Sequence, residues 1–350
     1  MKLNLSVKDL FNHMLILGLA QIVEEEMPES SHVTVCWPDP QSAEINWLDG
    51  EDLSIEEAAD AVWNFKEKLL THIEPSEDGV AIDRTIEIKG AKNKSKHSPL
   101  SPRIAKKSDF TEAVWNSYFK TRNEILDSMD EVSPLFVKLV RALGFPSYWT
   151  EESAVKNYRD NLDISASLWE MAPRNSGSEF FNTKYFSLLA RMEQLDGEAI
   201  CKHIQGTDSD AHGDNRNASG FHCKSPTDSC QAWIAYHGMA MFPARPVTHG
   251  SCVSVTQGVL GRGREKRFVL PVPDVPITID RYAAISRNDS LYTQVANPEP
   301  NQHGNLTKAR DSSWLVAHGI THIEEFARFR GGSDSCPEYF ALEGRISAIE

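Results

Sequence analysis

Hydrophobic positions near the start of the chain repeat first with a helical period and then with a strand period. Apolar residues cover most of the circumference of a segment from Ser6 to about Glu26. This pattern predicts a deeply buried helix with Ser6 as its N-cap and Asp9 at N3. Two short alternating runs follow at 32–37 and 43–47, and such alternation is typical of half-buried strands.

The rest of the chain combines helical patterns with a few short strand patterns. The helical patterns lie at 54–71, at 110–143 with a break near Ser133, at 179–204, at 229–242 and at 312–329. Strand patterns lie at 79–88 and on both sides of a glycine-rich turn near 258–268, and the polar stretch 206–228 predicts a loop. The sequence therefore predicts an α+β fold, helix-rich with short strands and a β-hairpin, and arranged as two lobes.

A short motif with an internal glycine recurs within helical patterns. Residues 233–239 read WIAYHGM, residues 314–320 read WLVAHGI, and residues 13–19 read HMLILGL as a looser copy. Glycine inside a helix costs about 1 kcal/mol relative to alanine, so a retained glycine usually marks a close approach of two helices. We expect these segments to be buried helices that pack their small faces together.

Composition narrows the class of protein without identifying it. The chain has 350 residues, of which 40% are hydrophobic and 25% charged, so it is neither disordered nor fibrous. The longest strongly apolar run, Met14 to Ala20, is far short of the roughly 18 residues that a membrane-spanning helix needs. Six cysteines without a C-x-x-C pair are typical of cytosolic proteins, so we expect a cytoplasmic protein that does not enter a membrane.

Charge is distributed unevenly along the chain. Residues 1–88 contain 5 Lys+Arg and 19 Asp+Glu, whereas residues 89–107 contain seven basic residues and no acidic one. The pattern predicts an acidic N-terminal α+β lobe at 1–88, a basic linker or loop at 89–107, and a helix-rich lobe at 108–350. The basic residues of the linker are Lys89, Lys92, Lys94, Lys96, Arg103, Lys106 and Lys107. A mobile basic segment suits contacts to nucleic-acid phosphates, although a solvated interdomain linker has the same composition. The acidic lobe also suits a basic protein partner.

A second group of basic residues occupies the predicted hairpin near 258–268. Arg262, Arg264, Lys266 and Arg267 follow closely spaced glycines, and strand patterns flank them. An arginine-rich hairpin tip can reach guanine or phosphate, although a solvated hairpin is the alternative. The segment G-R-G-R-E-K lacks the third glycine of a dinucleotide-binding loop, and no helix follows it.

No established catalytic motif is present. The chain lacks the G-x-S-x-G elbow, the G-x-x-x-x-G-K-[ST] phosphate loop and the zinc deaminase pattern. We therefore predict neither catalytic residues nor a cofactor. The alternative is a zinc-dependent enzyme that uses a group of metal-ligating residue types within 201–237. These residues are Cys201, His203, His222, Cys223, Cys230 and His237. His318 and His322, four apart on the predicted helix at 312–329, form a second and weaker pair.

Several segments together resemble one family, the accessory or large subunits of type I (I-G, formerly I-U) CRISPR Cascade-type interference complexes. The resemblance lies in an opening N-H-M-x-x-x-G-L-A helix followed by short strands that end in Trp37. It extends to RNSGSEFFNTKYFSLLARM at 174–192, and to AWIAYHGMAMFPARPV at 232–247, which leads into FVLPVPDVPITIDRYAAI at 268–285.

The resemblance implies a non-catalytic subunit of an RNA-guided antiviral complex. Such a subunit binds CRISPR RNA and target DNA, contacts the other Cascade subunits, and in some cases reads the protospacer-adjacent motif. It also implies a separate helicase-nuclease that is recruited in trans. The net charge of −14 is unusual for a nucleic-acid binder, so we expect the basic linker and the hairpin to face nucleic acid and the acidic lobe to face a basic subunit.

Overall fold

The computed structural model of the protein describes residues 1–28, 32–73, 86–87, 96–100, 112–144, 167–171, 180–210, 221, 228–248, 252–261, 265–296, 302–332 and 337–349. Helices and antiparallel sheets share these residues, which confirms the predicted α+β class. Within these ranges, no helix is both long enough and apolar enough to cross a membrane.

The helices follow the apolar patterns closely. They are α1 (Leu10–Glu26), α2 (Ile55–His72), α3 (Glu112–Asp130), α4 (Pro134–Ala142), α5 (Phe186–Met192), α6 (Gly197–Gln205), α7 (Ser229–Gly238), α8 (Ile279–Ser286), α9 (Asp289–Val295) and α10 (Gln302–Ala317). A π-helical turn, Phe181–Tyr185, precedes α5, and a 3-10 turn, Met239–Met241, follows α7. The predicted N-cap of α1 was wrong: Asp9, not Ser6, accepts the hydrogen bond from Phe11 N at 3.0 Å.

The strands form antiparallel sheets. They are β1 (Lys2–Leu3), β2 (Val33–Asp39), β3 (Ser42–Trp47), β4 (Ile86–Glu87), β5 (Lys96–His97), β6 (Ala244–Thr248), β7 (Cys252–Thr256), β8 (Val259–Leu260), β9 (Arg267–Pro273), β10 (Ile277–Thr278), β11 (Ile320–Gly332), β12 (Pro337–Ala341) and β13 (Arg345–Ala348). One sheet has the order β1-β3-β2-β10, and another has the order β12-β11-β9-β8 with β13 also paired to β11. The strands expected at 32–37 and 43–47 and the hairpin near 258–268 are confirmed.

The predicted helix at 312–329 was wrong beyond its first turns. Helix α10 ends at Ala317, Gly319 reverses the chain with φ +82°, and β11 begins at Ile320. A positive φ is readily adopted by glycine and ends a helix, while the β-branched and aromatic residues that follow favour a strand. His322 therefore lies on a strand, so it does not share a helix face with His318.

Two of the three glycine motifs do meet at a helix crossing. Helix α1 lies against α7, with Gly18 facing the backbone carbonyl of Ile234. A Cβ atom on Gly238 would lie 2.5 Å from Met14 O and 3.0 Å from Met14 Cα, closer than side chains pack. The prediction is confirmed for the motifs at 13–19 and 233–239. The copy at 314–320 instead ends a helix at Gly319.

The crossing also connects the two predicted lobes. Helix α1 and strand β2 belong to the range 1–88, and they contact α7 and β10 of the range 108–350. Gln21 of α1 donates from Nε2 to Leu17 O at 3.0 Å and to His237 O at 3.1 Å. The predicted division at 89–107 stays a prediction, and any such division must preserve these contacts.

Replacing Gly18 with alanine should destabilise the fold strongly. The added methyl group meets backbone atoms of α7, so the helices must separate, and overpacking of this kind costs about 1–3 kcal/mol. Gly197→Ala is the matched control, because its Cβ would lie 3.5 Å from Asp60 Oδ1, an ordinary contact at the start of α6. Urea unfolding of both variants measures the difference. Equal unfolding midpoints would contradict the close crossing.

Candidate nucleic-acid interface

An arginine- and aromatic-rich pair of strands forms one end of the larger sheet. We call it the ribbon, and it consists of residues 327–332 of β11 and residues 337–341 of β12. Its register pairs Phe329 with Phe340 and Arg330 with Tyr339. Because side chains alternate across a strand, one face carries the arginines and Tyr339, while the other carries both phenylalanines.

The arginine face is organised by a cation–π contact. The guanidinium of Arg328 lies 3.8 Å from the centre of the Tyr339 ring. Contacts of this kind hold an arginine flat against an aromatic ring. Arg330 follows two residues later on the same face and is exposed. Its guanidinium is of a type well suited to phosphate or to a base edge.

The opposite face presents an exposed aromatic pair. Phe329 is 46% exposed, and its ring centre lies 4.9 Å from that of Phe340. Large apolar side chains are usually buried, so a solvent-facing phenylalanine at a strand end is a surface that can bind another flat ring. Nucleic-acid bases stack on such rings whatever their sequence.

The predicted basic hairpin lies directly beside the ribbon. Strands β8 and β9 pair with each other, and β9 pairs with β11, so that Arg267 lies opposite Ala327. Arg328 N donates to Lys266 O at 3.0 Å, which places Lys266 next to Arg328 across the strands. The hairpin and the ribbon therefore form one continuous basic end of the sheet.

Arg267, one of the predicted binding residues, has a structural role instead. Its Nη2 donates to Val295 O at 2.8 Å, and its Nε lies 2.9 Å from a carboxylate oxygen of Glu325. These contacts attach the hairpin to α9 and to β11. Lys266 is half-buried beside the ribbon, while Arg262 and Arg264 lie outside the described residues.

Most of the predicted basic linker also lies outside the described residues. This applies to Lys89, Lys92, Lys94, Arg103, Lys106 and Lys107. Lys96 is placed at the level of its backbone, in β5 opposite Glu87 of β4. Binding by the linker therefore stays a prediction.

Sequence reasoning missed the ribbon because β11 was expected to be a helix. The signal was the period-two alternation of arginine and aromatic residues in A-R-F-R-G-G at 327–332. Among the described residues of this end, four are basic (Lys266, Arg267, Arg328 and Arg330) and three are acidic (Glu265, Glu325 and Glu338), with Arg267 paired to Glu325. The end therefore has a small excess of positive charge, although the whole chain carries a net charge of −14.

The structure separates most of the predicted metal-ligating residues. Cys230 and His237 are buried in the core on α7, and both nitrogens of His237 are hydrogen-bonded, to Tyr185 Oη and to Trp233 O, each at 3.0 Å. Burial lowers the pKa of His237 to about 3, so its imidazole is neutral. Cys201 is half-buried on α6, where burial raises the pKa of its thiol. His222 and Cys223 lie outside the described residues.

Of the predicted ligands that the structure describes, only His203 belongs to a group that could hold a metal ion. Its Nδ1 lies 2.6 Å from Asp228 Oδ2, and Asp210 lies beside both, with the ligand atoms within 4.8 Å of one another. No other such group occurs in the described part of the chain. Sequence reasoning missed the two aspartates because they belong to the polar stretch predicted as a loop.

Comparison with known proteins gives no assignment. No protein-family model matches the sequence, and no curated protein matches it. The function therefore has to be argued from the residues and their geometry.

The strand that carries the ribbon also contains a buried carboxyl group. Glu324 is 0% exposed, and no hydrogen-bond partner for its carboxylate lies among the described residues. Burial raises its pKa from 4.5 to about 8, with Lys8 opposing the shift and Glu325 and Glu343 adding to it. In the folded protein, the carboxyl group of Glu324 is therefore protonated at neutral pH.

Glu324→Gln should remove a pH dependence of stability. The folded state retains a proton that the unfolded state loses above its ordinary pKa, so the unfolding free energy of the wild type falls as the pH rises from about 4.5 to about 8. The glutamine variant lacks this loss and should be the more stable protein at pH 9. Thermal unfolding at pH 5, 7 and 9 measures this pH dependence, with exposed Glu193→Gln as the control because Glu193 does not act on Glu324. Parallel pH profiles for wild type and Glu324→Gln would contradict a buried neutral acid.

Proposed function

We propose that the protein is a non-catalytic, nucleic-acid-binding subunit of an RNA-guided interference complex, and that the ribbon and the adjacent hairpin form its binding surface. The observation that carries the proposal is the exposed Phe329 beside Arg330, on a strand end next to Lys266. Arginine supplies contacts to phosphates, and phenylalanine supplies a stacking surface.

The shape of the ribbon supports this proposal. A two-stranded antiparallel ribbon is narrow enough to enter the major groove of duplex DNA, and an exposed aromatic side chain suits unpaired bases. Because Arg330 and Phe329 point to opposite faces, a strand that wraps the ribbon edge touches both. A single-stranded ligand can bend in this way, so we assign single-stranded RNA or displaced DNA as the preferred ligand.

The acidic N-terminal residues support contacts with basic protein subunits. A groove of about 480 Å³ is lined in part by the acidic residues Glu44, Asp52 and Glu56 and by the basic residue Lys2. Trp63 lies 39% exposed further along α2. The carboxylates of the groove and the exposed indole each suit an arginine-bearing partner, because arginine pairs with both kinds of group.

The RNA-guided setting rests on the resemblance to type I Cascade-type subunits described above. It implies CRISPR RNA and target DNA as ligands, neighbouring Cascade subunits as partners, and a helicase-nuclease recruited in trans. It also implies a cytoplasmic location. Affinity purification of the tagged chain from its native host tests this setting. A co-eluting short CRISPR RNA and a multi-copy backbone protein are expected, and a monomer free of nucleic acid would contradict it.

Combined substitution of Phe329→Ser and Arg330→Gln should weaken nucleic-acid binding. Loss of one stacked base costs about 1–3 kcal/mol, which corresponds to about 5- to 150-fold in Kd, and loss of one phosphate contact reduces the salt slope by about 1. Fluorescence anisotropy with a labelled 20-nucleotide strand, titrated at several salt concentrations, measures both. Arg281→Gln with Arg287→Gln is the control, because these exposed arginines lie on and just after α8. Equal affinities for both double variants would contradict the ribbon as the binding surface.

The basic linker requires a separate test. Neutralising Lys92, Lys94 and Lys96 to glutamine should weaken binding to single and double strands alike, because phosphate contacts carry no sequence information. The same titrations measure the loss. An unchanged affinity would show that the linker does not contact nucleic acid, and would leave the ribbon as the only tested surface.

A further inference from the structure

A buried imidazole and two carboxyl groups meet where α6 ends and α7 begins. His203 is 5% exposed near the end of α6, and Asp228 is 6% exposed as the N-cap of α7. Their side chains meet at 2.6 Å between Nδ1 and Oδ2. Asp210 completes the group, with its backbone N donating to the same Oδ2 at 3.2 Å.

The two carboxyl groups lie close to each other, with Asp228 buried and Asp210 half-buried. Asp210 Oδ1 accepts from Ser229 N at 2.7 Å, at the start of α7. Two adjacent carboxylates repel each other when both are ionised, and a cation bound by both relieves this repulsion.

The donor atoms define which cation fits. One imidazole nitrogen and two carboxylate oxygens suit zinc and related divalent transition metals, whereas magnesium and calcium prefer oxygen ligands alone. The ligand atoms lie within 4.8 Å of one another, and ligands of a tetrahedral zinc lie roughly 3.4 Å apart, so shifts of about 1 Å suffice. Side-chain rotation can supply such shifts.

We propose that His203, Asp210 and Asp228 bind one divalent transition-metal ion, with zinc as the probe. The ion replaces the hydrogen bond between Nδ1 of His203 and Oδ2 of Asp228, the displaced proton is released to solvent, and water completes the coordination. Bound there, it links the end of α6 to the start of α7 and stabilises the fold. This site is independent of the proposed nucleic-acid surface.

Helix capping alone does not account for the group. Asp228 accepts from Gln231 N at 2.9 Å through Oδ1, and this is the capping bond. Its other oxygen, Oδ2, faces His203 and Asp210 instead. Asparagine caps a helix about as well as aspartate, so Asp228→Asn keeps the cap and removes one anionic ligand. Asp196, which caps α6 through Ala199 N at 2.8 Å, is a matched aspartate outside the group.

The test is zinc binding by the full chain. Metal-stripped wild type, Asp228→Asn, Asp210→Asn and Asp196→Asn are equilibrated with zinc, desalted and analysed for metal content, and thermal unfolding is recorded with and without zinc. We expect about one zinc per wild-type chain and a midpoint raised by a few degrees. We expect both effects to be lost in Asp228→Asn and Asp210→Asn and kept in Asp196→Asn. The apo midpoints of the variants show whether each one folds.

Two outcomes overturn the proposal. Wild type that retains no zinc after desalting has no such site. Zinc that is retained equally by all four proteins binds elsewhere, and Cys223→Ser with Cys230→Ser then tests the cysteines. If Asp228→Asn fails to fold, the Asp210→Asn variant still decides, because asparagine retains the oxygen that accepts from Ser229 N at 2.7 Å.

Discussion

The crossing of α1 and α7 at Gly18 and Gly238 is the contact on which the rest of the structure depends. Both helices are buried on nearly every side, so their separation is set by the absence of side chains at the point of contact. Helix α1 leads into β2, which pairs with β10, and α7 begins at the metal-binding geometry of Asp228. The crossing thereby positions the helices and strands that carry both candidate sites.

Many of these helices and strands were predictable, because the sequence features that indicate them are local. Buried helices with an internal glycine indicated a close crossing, Ser54 indicated the start of α2, and alternating runs indicated β2 and β3. The boundary near residue 318 was not predictable in the same way. The apolar positions of 312–329 are compatible with a helix or with a strand. The helix ends because Gly319 adopts a positive φ, and composition does not reveal this backbone conformation.

The candidate sites were only partly predictable because they depend on pairing between distant segments. The arginines of the hairpin were visible in sequence, but the register that places Arg330 opposite Tyr339 is a property of the folded sheet. The same register brings Arg267 into an ion pair with Glu325. One of the expected binding residues therefore stabilises the hairpin. Similarly, His203 and Asp228 are 25 residues apart and meet only because α6 and α7 pack together.

The net charge of −14 constrains how such a protein can bind a polyanion. At physiological salt, charges farther than about 8 Å from a contact are largely screened, so a small basic end can act independently of distant acidic residues. Its few cations neutralise few phosphates, and the remaining affinity has to come from stacking on Phe329, which is insensitive to salt. A footprint this small gives modest affinity by itself. Under the proposed function, the carboxylates of the groove at β3 and α2 compensate for this, because attachment to a larger basic assembly would hold the ribbon at high effective concentration beside the nucleic-acid strand.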